Sequence, residues 1–199
     1  MKVTLLKKNL KTYTCNVYFV QGDWNTISDI NTLIDVGTDS YIIEEIETLS
    51  TGVGKKRVEQ IILTHEHFDH AGGLKKIKEV YKPTVIAFSK MSGIDIQAYD
   101  GMKVKLGDSE ATLLYTPGHS NDSLSIYCEK EQILFSGDTQ LNIKTPGGTY
   151  TPFFIDVLQN LIKLPIKIIY SGHDEPLTHN VSEVLKNTLH NVRKSKLIL

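Results

Sequence analysis

Three imidazoles and the Asp69 carboxylate fall within the six positions His65-Glu66-His67-Phe68-Asp69-His70, directly behind the apolar run Ile61-Ile62-Leu63. Imidazole nitrogen and carboxylate oxygen are the ligands that borderline divalent metals such as zinc prefer. A single histidine is often a hydrogen-bonded structural residue, but three of the chain's seven in one hexapeptide are not explained that way. The stretch Val58–Leu63 is expected to be a short buried strand that delivers the cluster at its C-terminal end. The rest of the chain must then supply the remaining ligands.

Three later segments repeat one local pattern. His119 follows Tyr115-Thr116-Pro117-Gly118, Asp138 follows Phe135-Ser136-Gly137, and His173 follows Ile168-Ile169-Tyr170-Ser171-Gly172. Each time an apolar strand ends in a glycine turn and presents a metal-competent side chain. Glu66 sits between ligands and, in extended chain, points away from them. Asp174 adjoins His173 without a pattern of its own, and His179 and His190 read as surface residues. Ser120 and Ser136 flank ligands, but neither has a base identifiable from sequence.

Around these turns the chain alternates strands and helices. Strands are expected at 2–7 and 14–20, then from Thr32 to Gly37, forming a hairpin with an extended tip that carries Trp24, the only tryptophan. That ring either folds onto the core or forms an apolar flap over a site. A helix capped by Asp39-Ser40 runs to Leu49, and another spans Asp69 to Tyr81, ended by Pro83. Further strands are expected at Thr84–Phe88, Lys103–Leu106, Glu110–Thr116, Ser123–Cys128, Gln132–Ser136 and Ile166–Tyr170. Helices are expected over Phe154–Leu164 and Val181–Lys194, with a loop at Thr145–Thr149. One domain, 1–199, with helices on both faces of two packed sheets fits this order.

Composition narrows the function classes. The 199 residues, 40% apolar and 23% charged, describe a globular protein with a core of its own. A formal net charge of -1 gives no general attraction to nucleic acid, and no binding to it is expected. Cys15 and Cys128 have neither a disulfide framework nor zinc-finger spacing and read as reduced, partly buried thiols. No secretory signal or membrane-spanning run is visible, so the default location is the cytoplasm, with no membrane partner. The oligomeric state is open, a homodimer included.

The cluster and the three later turns together resemble the metallo-β-lactamase-fold superfamily, particularly its glyoxalase II-like, binuclear hydrolase branch, from about Asn16 to Pro176. The resemblance implies an α/β fold, an αββα sandwich of two mixed β-sheets flanked by helices, with the site on one edge. It implies two divalent metal ions, zinc first, with iron or manganese as alternatives. His65, His67 and His119 would bind the first, Asp69, His70 and His173 the second, and Asp138 would bridge them. Asp69 and Asp138 are thereby the catalytic candidates. Asp35 matches an aspartate beneath the ligands that orients an imidazole, although an Asp-Val-Gly turn needs no catalytic reason.

Such a site hydrolyses an activated acyl bond (thioester, lactone or ester) of a small substrate with a metal-bridging hydroxide. The alternatives on the same fold are a mononuclear iron oxidoreductase of the persulfide dioxygenase kind, and β-lactam or phosphodiester hydrolysis. Persulfide dioxygenases generally carry an arginine-containing stretch that Ile143–Gly148 does not match. Lactamases with a cysteine ligand have it where Asp138 stands. Glyoxalase II enzymes add a C-terminal helical segment, and only 26 residues follow His173 here. The substrate wall is therefore expected from the Trp24 tip and the 140–150 loop, where Tyr150 either donates to an oxyanion or packs.

Overall fold

The computed structural model describes residues 1–198; Leu199, the last residue of the expected 1–199 domain, lies outside the described residues. The first half forms a six-stranded sheet in sequential order: β1 (Lys2–Leu5), β2 (Tyr18–Gln21), β3 (Thr32–Ile34), β4 (Gln60–Ile62), β5 (Thr84–Ala87) and β6 (Ile96–Gln97). The β1–β2–β3 pairs are antiparallel, and β3 through β6 pair in parallel. Parallel neighbours need crossovers. Helix α1 (Ile42–Thr48) supplies the one between β3 and β4, and α2 (Phe68–Ala71) with α3 (Leu74–Tyr81) the next.

The second half adds β7 (Lys103–Leu106), β8 (Ser109–Tyr115), β9 (Leu124–Cys128) and β10 (Ile133–Gly137). After a short β11 (Thr149–Tyr150) and α4 (Pro152–Leu161), β12 (Ile168–Ser171) pairs in parallel with β10, giving a sheet ordered β12-β10-β9-β8-β7. Helix α5 (Val181–Arg193) follows, and β13 (Lys196–Leu197) pairs with β11.

Side-chain alternation turns these strands into layers. Leu33 and Ile61 face α1 and α3, joining Phe19, Ile46 and Ile77 in one core. Their neighbours Ile34 and Ile62 face the other way and meet Leu113, Ile126 and Phe135 of the second sheet. On that sheet's far side Leu134 and Ile169 pack on Phe154, Leu158 and Leu185 of α4 and α5. Strands buried on both faces must be apolar throughout, as Ile61-Ile62-Leu63 is. The architecture is the expected αββα sandwich. Truncating one such side chain to alanine would cost about 2–5 kcal/mol.

Three local expectations change. The helix from Asp69 to Tyr81 is two helices broken at Gly72-Gly73, because the backbone of Thr38 and Asp39 passes against it there. A Cβ on Gly72 would lie 2.5 Å from the Thr38 carbonyl oxygen, and one on Gly73 would lie 2.6 Å from that of Asp39. Part of the loop expected at 145–149 is a strand end, since Thr149 pairs with Lys196.

Trp24 is neither core nor flap. It is 90% exposed. Strand β2 runs toward the tip and β3 away from it, leaving the sheet at Asp35, so the tip lies at the end of the sheet opposite His65. There Ile30 bridges Gly107, and Asp23 N–H donates to Asp108 at 3.3 Å. Among the described residues no helix is long and apolar enough to cross a membrane.

Candidate metal centre

All of the turns singled out in the sequence leave their strands at one edge of the sandwich. Asp35 follows β3, His65 to His70 follow β4, and His119, Asp138 and His173 follow β8, β10 and β12. The seven side chains converge in two trios joined by one carboxylate. In the first, His67 Nδ1 lies 3.1 Å from His65 Nε2 and 2.9 Å from His119 Nε2. In the second, Asp69 Oδ2 lies 3.1 Å from His173 Nε2 and 3.8 Å from His70 Nε2. Asp138 touches both: Oδ2 is 3.5 Å from His119 Nε2 and 3.4 Å from His173 Nε2, while Oδ1 is 3.3 Å from His70 Nε2.

These short approaches are not ordinary hydrogen bonds. His70 Nε2, His173 Nε2 and Asp138 Oδ1 are buried and have no hydrogen-bond partner. Buried polar atoms without partners are rare, and several aimed at one point fit a shared cation. Within each trio the candidate ligand atoms lie within 4.8 Å of one another. Nitrogen and carboxylate donors in this number suit a borderline divalent metal.

Electrostatics points the same way. Burial, reinforced by the neighbouring His70 charge, pushes the His65 imidazole down to about 4, so its lone pair is free at neutral pH. Burial also lowers His119, helped by His67 and His70. Burial acts against the His70 imidazolium, but the Asp35 carboxylate outweighs it, with the nearby Asp138 carboxylate in support, and its pKa is raised. For Asp138, burial opposes and the close approach of positively charged His70 prevails, drawing the carboxyl down to about 2.

Asp35 lies directly beneath the cluster. Its Oδ1 accepts from Thr64 N–H at 2.8 Å, and Oδ2 accepts from the Thr64 hydroxyl and lies 2.8 Å from His70 Nδ1. It has φ 61°, a left-handed conformation unusual outside glycine. Gly172 is required by the same crowding, since a Cβ there would lie 2.1 Å from Asp138 Oδ1 and 2.8 Å from His70 Cε1. Cys15 is buried and free, its thiol pushed up to about 11 by burial. Its sulfur lies with the side chains of Asp35 and His70.

A second layer of residues gave no sequence signal. Asn16 Nδ2 donates to the carbonyls of Ser171 and Asp174, both at 2.9 Å, and the Tyr18 hydroxyl donates to Ser171 at 2.7 Å. Asn16 N–H donates to the Gly172 carbonyl and Cys15 N–H to that of Asp69. The segment entering β2 thus ties the Asp69 turn to the His173 turn. Tyr13 stacks on His173 with ring centroids 5.3 Å apart. Asp122 accepts from Glu66 N–H at 2.8 Å and pins the His119 loop to the histidine cluster.

The remaining candidates stay outside the cluster. Glu66 is exposed and accepts from the Ser89 hydroxyl. His179, His190 and Asp174 are exposed. Ser120 bonds to Asp122 and Ser123, and Ser136 to the Gly137 carbonyl, so neither hydroxyl bonds to a histidine. Tyr150 stacks on Phe154 at 5.7 Å and borders a small pocket reaching His119.

Fold and cluster agree with sequence comparison. The model of the metallo-beta-lactamase superfamily matches residues 10–94 and 88–173, and the chain belongs to that superfamily. Its place there is on the glyoxalase II-like branch. A hydroxyacylglutathione hydrolase of Rhodopseudomonas palustris (strain BisB5) is 33% identical over 126 residues, covering 59% of this chain and 49% of that relative. The chain spans about half the length of the curated relatives it matches. Among solved structures, a metallo-beta-lactamase family protein from Thermus thermophilus aligns with a TM-score of 0.69 at 20% identity, over 96% of this chain and 80% of that one. ETHE1 from Myxococcus xanthus aligns with a TM-score of 0.68 at 21% identity, over 97% and 90%. These structural likenesses concern the fold.

Proposed function

We propose that this chain is a metal-dependent hydrolase acting on an activated acyl bond of a small substrate, and that its whole length forms one catalytic domain. The observation that carries the reading is Asp138, whose single carboxylate lies within 3.5 Å of His119 in one trio and of His70 and His173 in the other. In this reading His65, His67 and His119 hold one divalent ion, Asp69, His70 and His173 hold a second, and Asp138 is shared. Zinc suits the donor set best, with iron and manganese as alternatives. When bound, the pair would supply a nucleophilic water at neutral pH and polarise the acyl carbonyl.

The chain's own residues do the positioning. Asp35 engages His70 Nδ1 and leaves Nε2 turned toward the cluster. Burial keeps His65 neutral and able to ligate. Asp69 and Asp138, the two carboxylates at the centre, would accept hydrogen bonds from a water and aim its lone pair; these are the residues to which we assign catalysis. The hydroxyacylglutathione hydrolase relatives make a thioester the first choice of substrate, ahead of lactone and ester.

The test is elemental analysis of protein purified without added metal, with a panel of thioesters, lactones, phosphodiesters and a β-lactam. Two equivalents of metal and turnover of an acyl substrate are expected. Asp138→Ala should lower metal content and turnover together, and full loading at the wild-type rate in that variant would refute the shared ligand. The compact trio His65, His67 and His119 also suits a single-iron oxidoreductase of the persulfide dioxygenase kind. One equivalent of iron with oxygen consumption on a persulfide would establish that reading instead.

A further inference from the structure

A cavity of about 520 Å³ opens from the ligand cluster, reached past Asp138 and His173. Its size suits a small molecule. Leu141, Ile143, Ile169 and Leu177 line one part of it, and Asp174 and Glu175 another. Neither lysine nor arginine contributes to the lining, and Lys144 borders a separate depression beside Val184 and Asn187. Both acidic side chains are exposed, and among the described residues neither pairs with a cation. Their placement is built into the turn: Asp174 N–H donates to the Ser171 hydroxyl at 2.9 Å, and its carbonyl accepts from buried Asn16 at 2.9 Å. His119, Asp138 and His173 line the same cavity, so the acidic wall and the reacting centre share one space.

Away from the metal ligands, an anionic substrate group in this cavity would meet two unneutralised carboxylates and no lysine or arginine. An apolar or cationic group would meet greasy wall and favourable charge. We propose that the cavity receives the leaving-group half of the substrate, and that this half is uncharged or cationic, so that anionic thioesters of the glutathione type are discriminated against. The proposal rests on the acyl-hydrolase reading above. In the reaction, water oxygen bonds to the acyl carbon, the carbon–sulfur bond breaks, and sulfur leaves with the electron pair and takes up a proton, giving acid and thiol.

Three acetyl thioesters that differ only in leaving group test it: acetylthiocholine (cationic), S-acetyl-mercaptoethanol (neutral) and S-acetylglutathione (anionic). For the metal-loaded enzyme at low salt, kcat/KM is expected to fall in that order. The cation-to-anion ratio should be on the order of fivefold, the upper end for one exposed charge pair. Raising the salt should shrink the ratio. The double variant Asp174→Asn, Glu175→Gln should draw the values together. In metal-free protein, S-methylthiocholine should shift the amide resonances of Asp174 and Glu175, and S-methylglutathione should not. Equal or reversed preference, or a ratio untouched by the double variant, would overturn the charge assignment while leaving the hydrolase intact. No turnover of any of the three by two-metal protein would remove the thioesterase reading and the proposal with it.

Discussion

Asp35 combines three features that rarely meet in one residue: a left-handed backbone, near-complete burial and a carboxylate with both oxygens engaged. A non-glycine residue in that region costs on the order of 1–3 kcal/mol, and it persists where its surroundings over-determine it. Asparagine tolerates the same conformation, so Asp35→Asn keeps the backbone and removes the charge beside His70. We expect that variant to fold and to bind metal about 10–100-fold more weakly, as loss of an imidazole's orienting partner does elsewhere. Unchanged affinity by competition with a chromogenic chelator would show that Asp35 serves Thr64 alone. From sequence Asp35 was the least compelling candidate, because its partners Thr64 and His70 lie 29 and 35 residues away. The histidine cluster, by contrast, was readable directly: its residues are adjacent in chain, and a strand end fixes how they project.

At the scale of elements, the sandwich brings five strand ends to one edge, and the segment entering β2 locks two of the turns together. Asn16 contributes most, donating to the turn that carries His173 from backbone and side chain alike. Asn16→Ala would remove the side-chain hydrogen bonds to the Ser171 and Asp174 carbonyls, at a cost of about 0.5–1.5 kcal/mol each. The expected result is a folded protein that retains the His65–His67–His119 ion and loses the other, read as a fall from two metal equivalents to one. Retention of both would make Asn16 a purely structural residue. This brace had no sequence signal because Asn16 and Ser171 are separated by 155 residues, and polar side chains carry no period that reports a distant partner. The break at Gly72-Gly73 escaped for a related reason: the amphipathic pattern continues across it, and only the passing backbone of Thr38 and Asp39 interrupts the helix. The Trp24 tip is the opposite case. Its length suggested a flap, but strand direction places it at the far end of the sheet. Shortening the tip beyond β2, within Asp23–Thr26, should therefore leave KM and metal content unchanged. A raised KM in that deletion would contradict the topology.

The whole molecule places its least comfortable groups where its halves meet. Two sheets from the two halves of the chain enclose a common core, and the edge where they meet holds unpartnered His70, His173 and Asp138 atoms. In the metal-free chain those groups oppose folding, and a cation that satisfies them binds the folded state alone. At a free metal concentration about 100 times the dissociation constant, such binding adds about 2.7 kcal/mol to stability. For a chain of this length each kcal/mol moves the midpoint by roughly 2–4 °C. Chelator-treated protein is thus expected to melt about 5–10 °C below the reloaded protein in calorimetry. The Asp138→Ala variant should show a smaller gap, because the ligand common to both trios is gone. An equal melting temperature with and without metal would mean that the cluster is satisfied without a cation, and that the convergence of seven side chains serves packing rather than binding.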